Sequence, residues 1–260
     1  MRGENIQAII SPFLSAILFK NEKSFEEDCD SSSELGFSQF SKITLNQDGK
    51  QMAILPALNV SDSKSSQSHA VSKCKEVYDI LSFSVGNTLF AQMYKSDESR
   101  TVAKELIAEI VKYSVIIPQN RKKAFTIGLS AGIDCDFCTA ISILAPQMEN
   151  IFLVLAENCG QIPYTLKEDG TQSRMTMEKM LSFNEVHECL DENILFNLKV
   201  LFTSPYGYNI RNRIAHGMCD DVFFQSYEAF WIWCMILKFC FLFYGPPSRL
   251  EDQTAQNENT

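Results

Sequence analysis

The sequence predicts an all-α protein, and three observations carry that prediction. From Lys73 onward, apolar residues recur at three- and four-residue intervals, the period of a helix face. Two long stretches, 136–159 and 222–244, are apolar without the strict alternation of a half-buried strand. The chain has 260 residues, 45% of them hydrophobic, enough to bury one core of ordinary size and leave extensions over. These observations divide the chain into a poorly structured N-terminal extension (1–72), a helical domain (73–245) and a flexible polar tail (246–260).

In the extension, Ile6, Ile9, Ile10, Phe13, Leu14, Ile17 and Leu18 follow helical spacing and predict an amphipathic helix. Glu4 ahead of the apolar run and the charged residues from Lys20 after it argue against a secretory leader. Residues 21–35, rich in acid and serine, read as a solvated loop. Residues 37–60 alternate weakly around Asn46-Gln47-Asp48-Gly49, a hairpin signal. Ser61 to Ser72 has the composition of a linker and is where the domain boundary is placed.

The domain then opens with a helix whose expected face is Val77, Ile80, Leu81, Val85, Leu89 and Met93. Glu98 to Tyr113 is a better amphipathic helix, with Val102, Leu106, Ile110 and Val111 on one side. Pro118 opens the next, which carries Arg121, Lys122 and Lys123. Asp136 to Cys159 forms a long apolar helix interrupted or kinked at Pro146. Glu149, set among apolar neighbours there, needs a partner, expected to be an arginine of the bundle. Asp169-Gly170 marks a small hairpin or extended loop, Ser182 and Glu185 fit a capping box, and Asp191 to Phe202 is helical. His187 reads as an exposed helix residue. In the terminal run, Glu228 and Lys238 interrupt the stretch that a membrane span would require, so a central core helix is the expectation and no membrane is invoked.

The formal net charge is −9, which at first sight disfavours a nucleic-acid partner. Its distribution changes that judgement: residues 100–250 hold 14 Lys and Arg against 16 Asp and Glu, a net of −2, so most of the acidity lies in the flanks. A local basic site is compatible with that balance and a long RNA-tracking groove is not. The nine cysteines are odd in number and irregular in spacing, and Cys234 and Cys240 lie in an apolar run. They read as buried free thiols of a cytoplasmic protein. Cys135 and Cys138 form one CxxC pair, without the further ligands that zinc needs, so neither a metal nor another cofactor is expected.

The segment richest in chemistry is Arg211-Asn212-Arg213-Ile214-Ala215-His216-Gly217, between the loop Ser204-Pro205-Tyr206-Gly207 and the terminal apolar run. Arginine is a permanently charged planar fork that suits phosphate oxygens, and histidine can exchange a proton near neutrality. An Arg/His pair therefore suffices for metal-free RNA cleavage, in which a 2'-hydroxyl attacks the adjacent phosphorus. His216 would move the proton and Arg211 would stabilise the charge developing on phosphate. On a helix, five positions rotate a side chain by roughly 140°, so these two do not share one narrow face. Asn212 lies four positions from His216 and Arg213 three, so both neighbour it. A purely structural account stands beside this one: solvated arginines, an asparagine that caps or bridges backbone, and a histidine marking a helix end before Gly217.

The pattern Arg-Asn, three variable residues, His-Gly resembles the signature of a domain of unknown function in the HEPN superfamily (higher eukaryotes and prokaryotes nucleotide-binding). Four fixed positions in seven should arise by chance in roughly one in a thousand chains of this length. The resemblance extends to Ile117-Pro118, Arg121, Phe125, Gly128-Leu129, Asp136-Phe137, Ala140, Leu144, Pro146-Gln147 and Glu149, and to Phe196 through Leu201. It covers about residues 75–245. It implies a HEPN-like helical bundle that homodimerises and binds RNA, with Arg211 and His216 as the catalytic pair from each protomer. Asn212 would be the adjacent polar residue, with Arg213 and Glu149 in support. Arg121, Lys122 and Lys123 are candidate contacts to an RNA backbone. An inhibitory protein partner is also compatible with this resemblance. It leaves open an alternative, a non-catalytic RNA-binding or assembly module, and beyond that a membrane-associated RNA-degradation factor.

Overall fold

The computed structural model describes residues 19–32, 38, 40–45, 49, 51–93 and 97–245. The fold is all-α: helices dominate the described residues, which also hold two small two-stranded sheets. The amphipathic helix expected at 6–18 and the polar tail at 246–260 lie outside the described residues.

The first described element is a helix where a loop was expected. α1 spans Glu22–Ser32. The Asn21 side chain accepts a hydrogen bond from the Lys23 amide at 2.9 Å and so caps a free N–H of the first turn. Phe25 supplies the anchor, buried against the Phe196 ring at 6.3 Å. One aromatic and a cap thus outweigh the solvated composition that suggested a loop. The expected hairpin follows as β1 (Lys42–Leu45) and β2 (Gln51–Leu55), antiparallel, with Ile43 opposite Ile54. Gly49 adopts φ 73°, a backbone region that suits glycine in the turn.

α2 runs over Ser63–Met93, so the serine-rich stretch expected to be a linker is already helical from Ser63. Asp62 accepts the Lys64 amide at 3.1 Å. The His69 ring nitrogen Nε2 meets the Pro56 carbonyl at 2.9 Å, and Ala70 and Val71 are fully buried. Those three residues give the serine stretch a packed side that its composition concealed. The buried face of α2 also differs from the expected one. Cys74, Tyr78 and Ser82 point inward while Ile80 is 68% exposed. Of the expected stripe, Val77 and Leu81 are half-buried beside Ile80, and the side chains of Val85, Leu89 and Met93 lie outside the described ones; the inward positions up to Ser82 are taken by a thiol, a phenol and a hydroxyl, whose packing or hydrogen bonding hydropathy does not register.

α3 (Asp97–Tyr113) buries Leu106, Ile107, Ile110 and Val111, close to the predicted stripe. Pro118 precedes a 3₁₀ turn, Gln119–Arg121, that feeds α4 (Lys122–Ile133). Asp136 caps α5 (Phe137–Asn158) by accepting the Thr139 amide at 3.0 Å, and its hydrogen bonds with Thr139 hold the carboxyl below the usual range. α5 continues through Pro146 as one helix rather than breaking there. It is also the one helix among the described residues long and apolar enough to cross a membrane, with 44% of its most apolar window buried.

The second expected hairpin forms as β3 (Tyr164–Leu166) and β4 (Gln172–Arg174), with Gly170 at φ 79°. α6 (Met177–Leu181) is capped by Thr176, and α7 (Asn184–Cys189) follows. The predicted capping box fails here. Ser182 ends α6, donating its hydroxyl to the Lys179 carbonyl at 2.8 Å, and Phe183 occupies the cap position of α7. His187 is exposed in α7, as expected. α8 (Glu192–Leu198) runs into a wide π turn, Lys199–Thr203, before α9 (Ile210–Ala215), α10 (Asp221–Phe224) and α11 (Tyr227–Leu242).

Two compact units emerge. One contains, among described residues, 82–93, 97–154 and 219–245. Its centre is α11, buried all round from Ala229 to Cys240, as expected of a core helix. Trp233 donates its indole N–H to the Leu129 carbonyl at 3.2 Å. Gly132 leaves room for that ring, since a Cβ there would lie 2.1 Å from the indole nitrogen. Burial also lowers the pKa of the Lys238 ammonium on this helix.

The other unit comprises the described residues of 19–81 together with 155–218. Its pivot is Asn197, fully buried. Its side-chain carbonyl accepts from the Lys20 amide and the Tyr78 hydroxyl, and its amide donates to the Lys20 and Asn193 carbonyls. A buried amide satisfied on every side ties the segment before α1, the middle of α2 and α8 together at modest energetic cost.

Candidate functional site

The motif folds as a single short helix. Two close backbone contacts set its approach. The Tyr208 amide donates to the Val200 carbonyl at 2.8 Å, folding the loop Ser204–Tyr208 back on the π turn. At Gly207 a Cβ would stand 2.1 Å from that same carbonyl oxygen, so only glycine permits the approach. Tyr208 is buried, and its hydroxyl donates to Asp79 Oδ1 at 2.9 Å. Lys75 completes the anchor: its ammonium lies 2.7 Å from Asp79 and 4.7 Å from the centre of the Tyr208 ring. Because Asp79 is partly exposed, the Lys75 ion pair adds little stability and serves mainly to fix geometry. Replacing Tyr208 by phenylalanine should cost roughly 1 kcal/mol of stability, the worth of one hydrogen bond to a partly solvated carboxylate; thermal unfolding of the variant measures it.

Asn209 then adopts the left-handed region at φ 48°, ψ 37°, a conformation that asparagine tolerates better than most residues. Its carbonyl receives the amides of Asn212 and Arg213, each at 3.1 Å, and the helix starts. Ile210 is fully buried and pins the first turn. At the far end, the Gly217 amide reaches the Ile214 carbonyl at 3.2 Å and the Met218 amide reaches the Arg213 carbonyl at 2.8 Å. Gly217 sits at φ 62°. This is a Schellman ending, with His216 as the last half-helical residue and Gly217 supplying the left-handed turn. Gly217→Ala should therefore cost about 1 kcal/mol through backbone strain alone, because the space around the position is open; chemical denaturation, with the wild type as reference, checks it.

The structural role foreseen for the end of the motif is thus observed: His216 marks a helix terminus before Gly217. Its ring is exposed. Arg211, Asn212 and Arg213 are half-buried, and both arginines interact with neighbouring groups. The cationic Arg213 sits in the last turn, where the helix dipole favours positive charge. One unit therefore carries all four motif side chains on a helix of six residues plus its cap.

The other predicted residues belong to the other unit. Glu149 is half-buried in α5 and has an interaction partner. The cluster Arg121, Lys122 and Lys123 occupies the 3₁₀ turn and the start of α4, the end of a helix that the dipole makes least hospitable to cations. Lys122 has a structural task there, donating to the Lys112 carbonyl near the end of α3. Lys123 is exposed. Among the described residues no group of three or more His, Cys, Asp or Glu side chains is arranged to hold a metal ion.

Sequence reasoning missed the supports of the motif and the buried pivot of its unit. Tyr208, Asp79 and Asn197 carry no pattern in the linear chain, although Asn197 amid Leu195, Phe196 and Leu198 is a polar residue on an apolar stretch that could have flagged a buried hydrogen-bonding role. No family model matches the chain, and no curated protein or solved structure matches it.

Proposed function

We propose that this protein is a HEPN-type, metal-independent endoribonuclease that works as a homodimer in the cytoplasm. The observation that carries the reading is the fit between motif and geometry: the seven residues with Arg-Asn, three variable residues and His-Gly form one anchored helix that presents His216 at an exposed end. In this reading His216 takes the proton from the attacking 2'-hydroxyl, or returns one to the leaving 5'-oxygen. Arg211 stabilises the charge on the phosphate oxygens. Two protomers each contribute one pair, which removes the need for Arg211 and His216 to share one face of a single helix. Asn212 and Arg213 support the pair, and the near-neutral balance of residues 100–250 permits a local phosphate site.

A second reading has its own support. The Schellman ending accounts for Gly217 and for the place of His216 on structural grounds alone, as a non-catalytic RNA-binding or assembly module would require. The two readings separate on RNA incubated with wild type, Arg211→Ala and His216→Ala proteins of equal fold and size. Loss of cleavage in both variants supports the nuclease; equal behaviour of all three supports the module.

A further inference from the structure

Cys159 and Cys189 lie 30 residues apart in sequence, yet their sulfurs stand 2.8 Å from each other. Both are free thiols, Cys159 half-buried at the end of α5 and Cys189 exposed as the last residue of α7. Their backbones are held by packed neighbours: Ala156 is fully buried, and Val186 and Leu190 nearly so. The Cys159 amide donates to the Leu155 carbonyl at 2.9 Å and the Leu190 amide to the Val186 carbonyl at 3.0 Å. A disulfide has its sulfurs about 2.05 Å apart, so closure asks for less than about 1 Å of further approach.

We propose that Cys159 and Cys189 form a reversible redox site that reacts with low-molecular-weight disulfides of the glutathione class and locks residues 159–189 into a closed loop. The exposed Cys189 reacts first. Its thiolate attacks one sulfur of the small disulfide, that S–S bond breaks, a protein–glutathione mixed disulfide forms, and one glutathione thiolate leaves and is protonated. Cys159 then gives up its proton and attacks the Cys189 sulfur; the mixed disulfide breaks, the Cys159–Cys189 bond forms, and a second glutathione leaves. Two protein thiols are oxidised by two electrons and one small disulfide is reduced to two thiols.

The electrostatics suit this order. Burial, and then the hydrogen bond and charge of Cys189, push the Cys159 thiol up to about 11, so it rests protonated while Cys189 is free. Capping Cys189 with glutathione removes the contributions of that neighbour and eases loss of the Cys159 proton when it is needed. In a reducing compartment the pair stays open, and an oxidising shift closes it. The loop so tied contains β3, β4, α6 and α7. This inference is independent of the RNA-cleavage reading.

The test uses the full chain in buffers of increasing ratio of glutathione disulfide to glutathione, followed by alkylation, digestion and mass spectrometry. Wild type and the Cys135→Ser/Cys138→Ser control should both yield a peptide cross-linked between Cys159 and Cys189. Each should lose two alkylatable thiols, and a dithiol reductant should restore them. Cys159→Ser should instead accumulate a glutathione adduct on Cys189. The oxidised wild type should unfold on the order of 10 °C higher than the reduced form. Absence of the cross-linked peptide from wild type, persistence of an unresolved adduct on Cys189, or pairing of Cys189 with another cysteine would each overturn the proposal.

Discussion

Under the nuclease reading, His216→Ala and Arg211→Ala are each expected to lower RNA cleavage by about 10²- to 10⁴-fold, the usual contribution of a positioned proton-transfer group or a charge-stabilising donor. For His216→Ala the effect should be confined to activity. His216 is exposed and occupies a helix end where alanine keeps the backbone hydrogen bond from its amide to the Asn212 carbonyl, so folding and thermal midpoint should stay close to wild type. Arg211 is half-buried and engaged with a neighbour, so Arg211→Lys is the better-folded companion. It keeps the charge but loses the planar fork, and activity should still fall well below wild type. Initial rates on a defined RNA, read beside circular dichroism of each variant, check both statements. A variant that folds and cleaves as wild type does would remove its residue from the chemistry.

The largest structural effect is expected at Gly207. Alanine there would bring a methyl carbon to 2.1 Å from the Val200 carbonyl oxygen, and the clash is with backbone rather than with the tip of a flexible side chain. The loop must move outward, which breaks the hydrogen bond from the Tyr208 amide to Val200 and loosens the Tyr208–Asp79 anchor. Overpacking and a lost buried hydrogen bond together should destabilise the unit by roughly 3 kcal/mol or more. Under the nuclease reading, cleavage should also collapse although Arg211 and His216 are unchanged, because the loop that aims their helix is displaced. Unfolding curves and rates measured on Gly207→Ala test the two consequences separately. Unaltered stability would show that the loop relaxes freely, and the positioning role given to it would be wrong.

What could be read from the linear chain followed the kind of physics involved. Amphipathic periodicity found α3, where Leu106, Ile110 and Val111 fill one side. Turn chemistry found both hairpins, since Gly49 and Gly170 take the positive φ that their positions suggested. Apolarity nearly all round, interrupted by Glu228 and Lys238, marked α11 as a core helix. Composition misled where a few side chains decided the outcome. Phe25 made a helix of an acidic, serine-rich stretch, and Ala70 and Val71 drew the serines from Ser63 onward into α2. The buried face of α2 was misjudged because Tyr78 points inward to hydrogen-bond Asn197, a long-range partner that no local window contains. Ser182 and Glu185 had the spacing of a capping box, but the chain ends α6 at Ser182 instead.

The motif itself was legible as a helix end before Gly217, because glycine and its neighbours encode that turn locally. Its scaffold was not legible. Gly207, Tyr208 and Asp79 act through a backbone approach and a hydrogen bond spanning 129 residues, and neither leaves a trace in spacing.

The central claim is metal-free transesterification by this motif. The most direct measurement is the chemistry of the ends left on a defined RNA after incubation with wild-type protein in excess chelator, beside His216→Ala. Attack by a 2'-hydroxyl predicts 2',3'-cyclic phosphate and 5'-hydroxyl ends, formed in chelator by the wild type and not by the variant. No cleavage in chelator, ends of the opposite kind, or equal cleavage by the His216→Ala protein would contradict it.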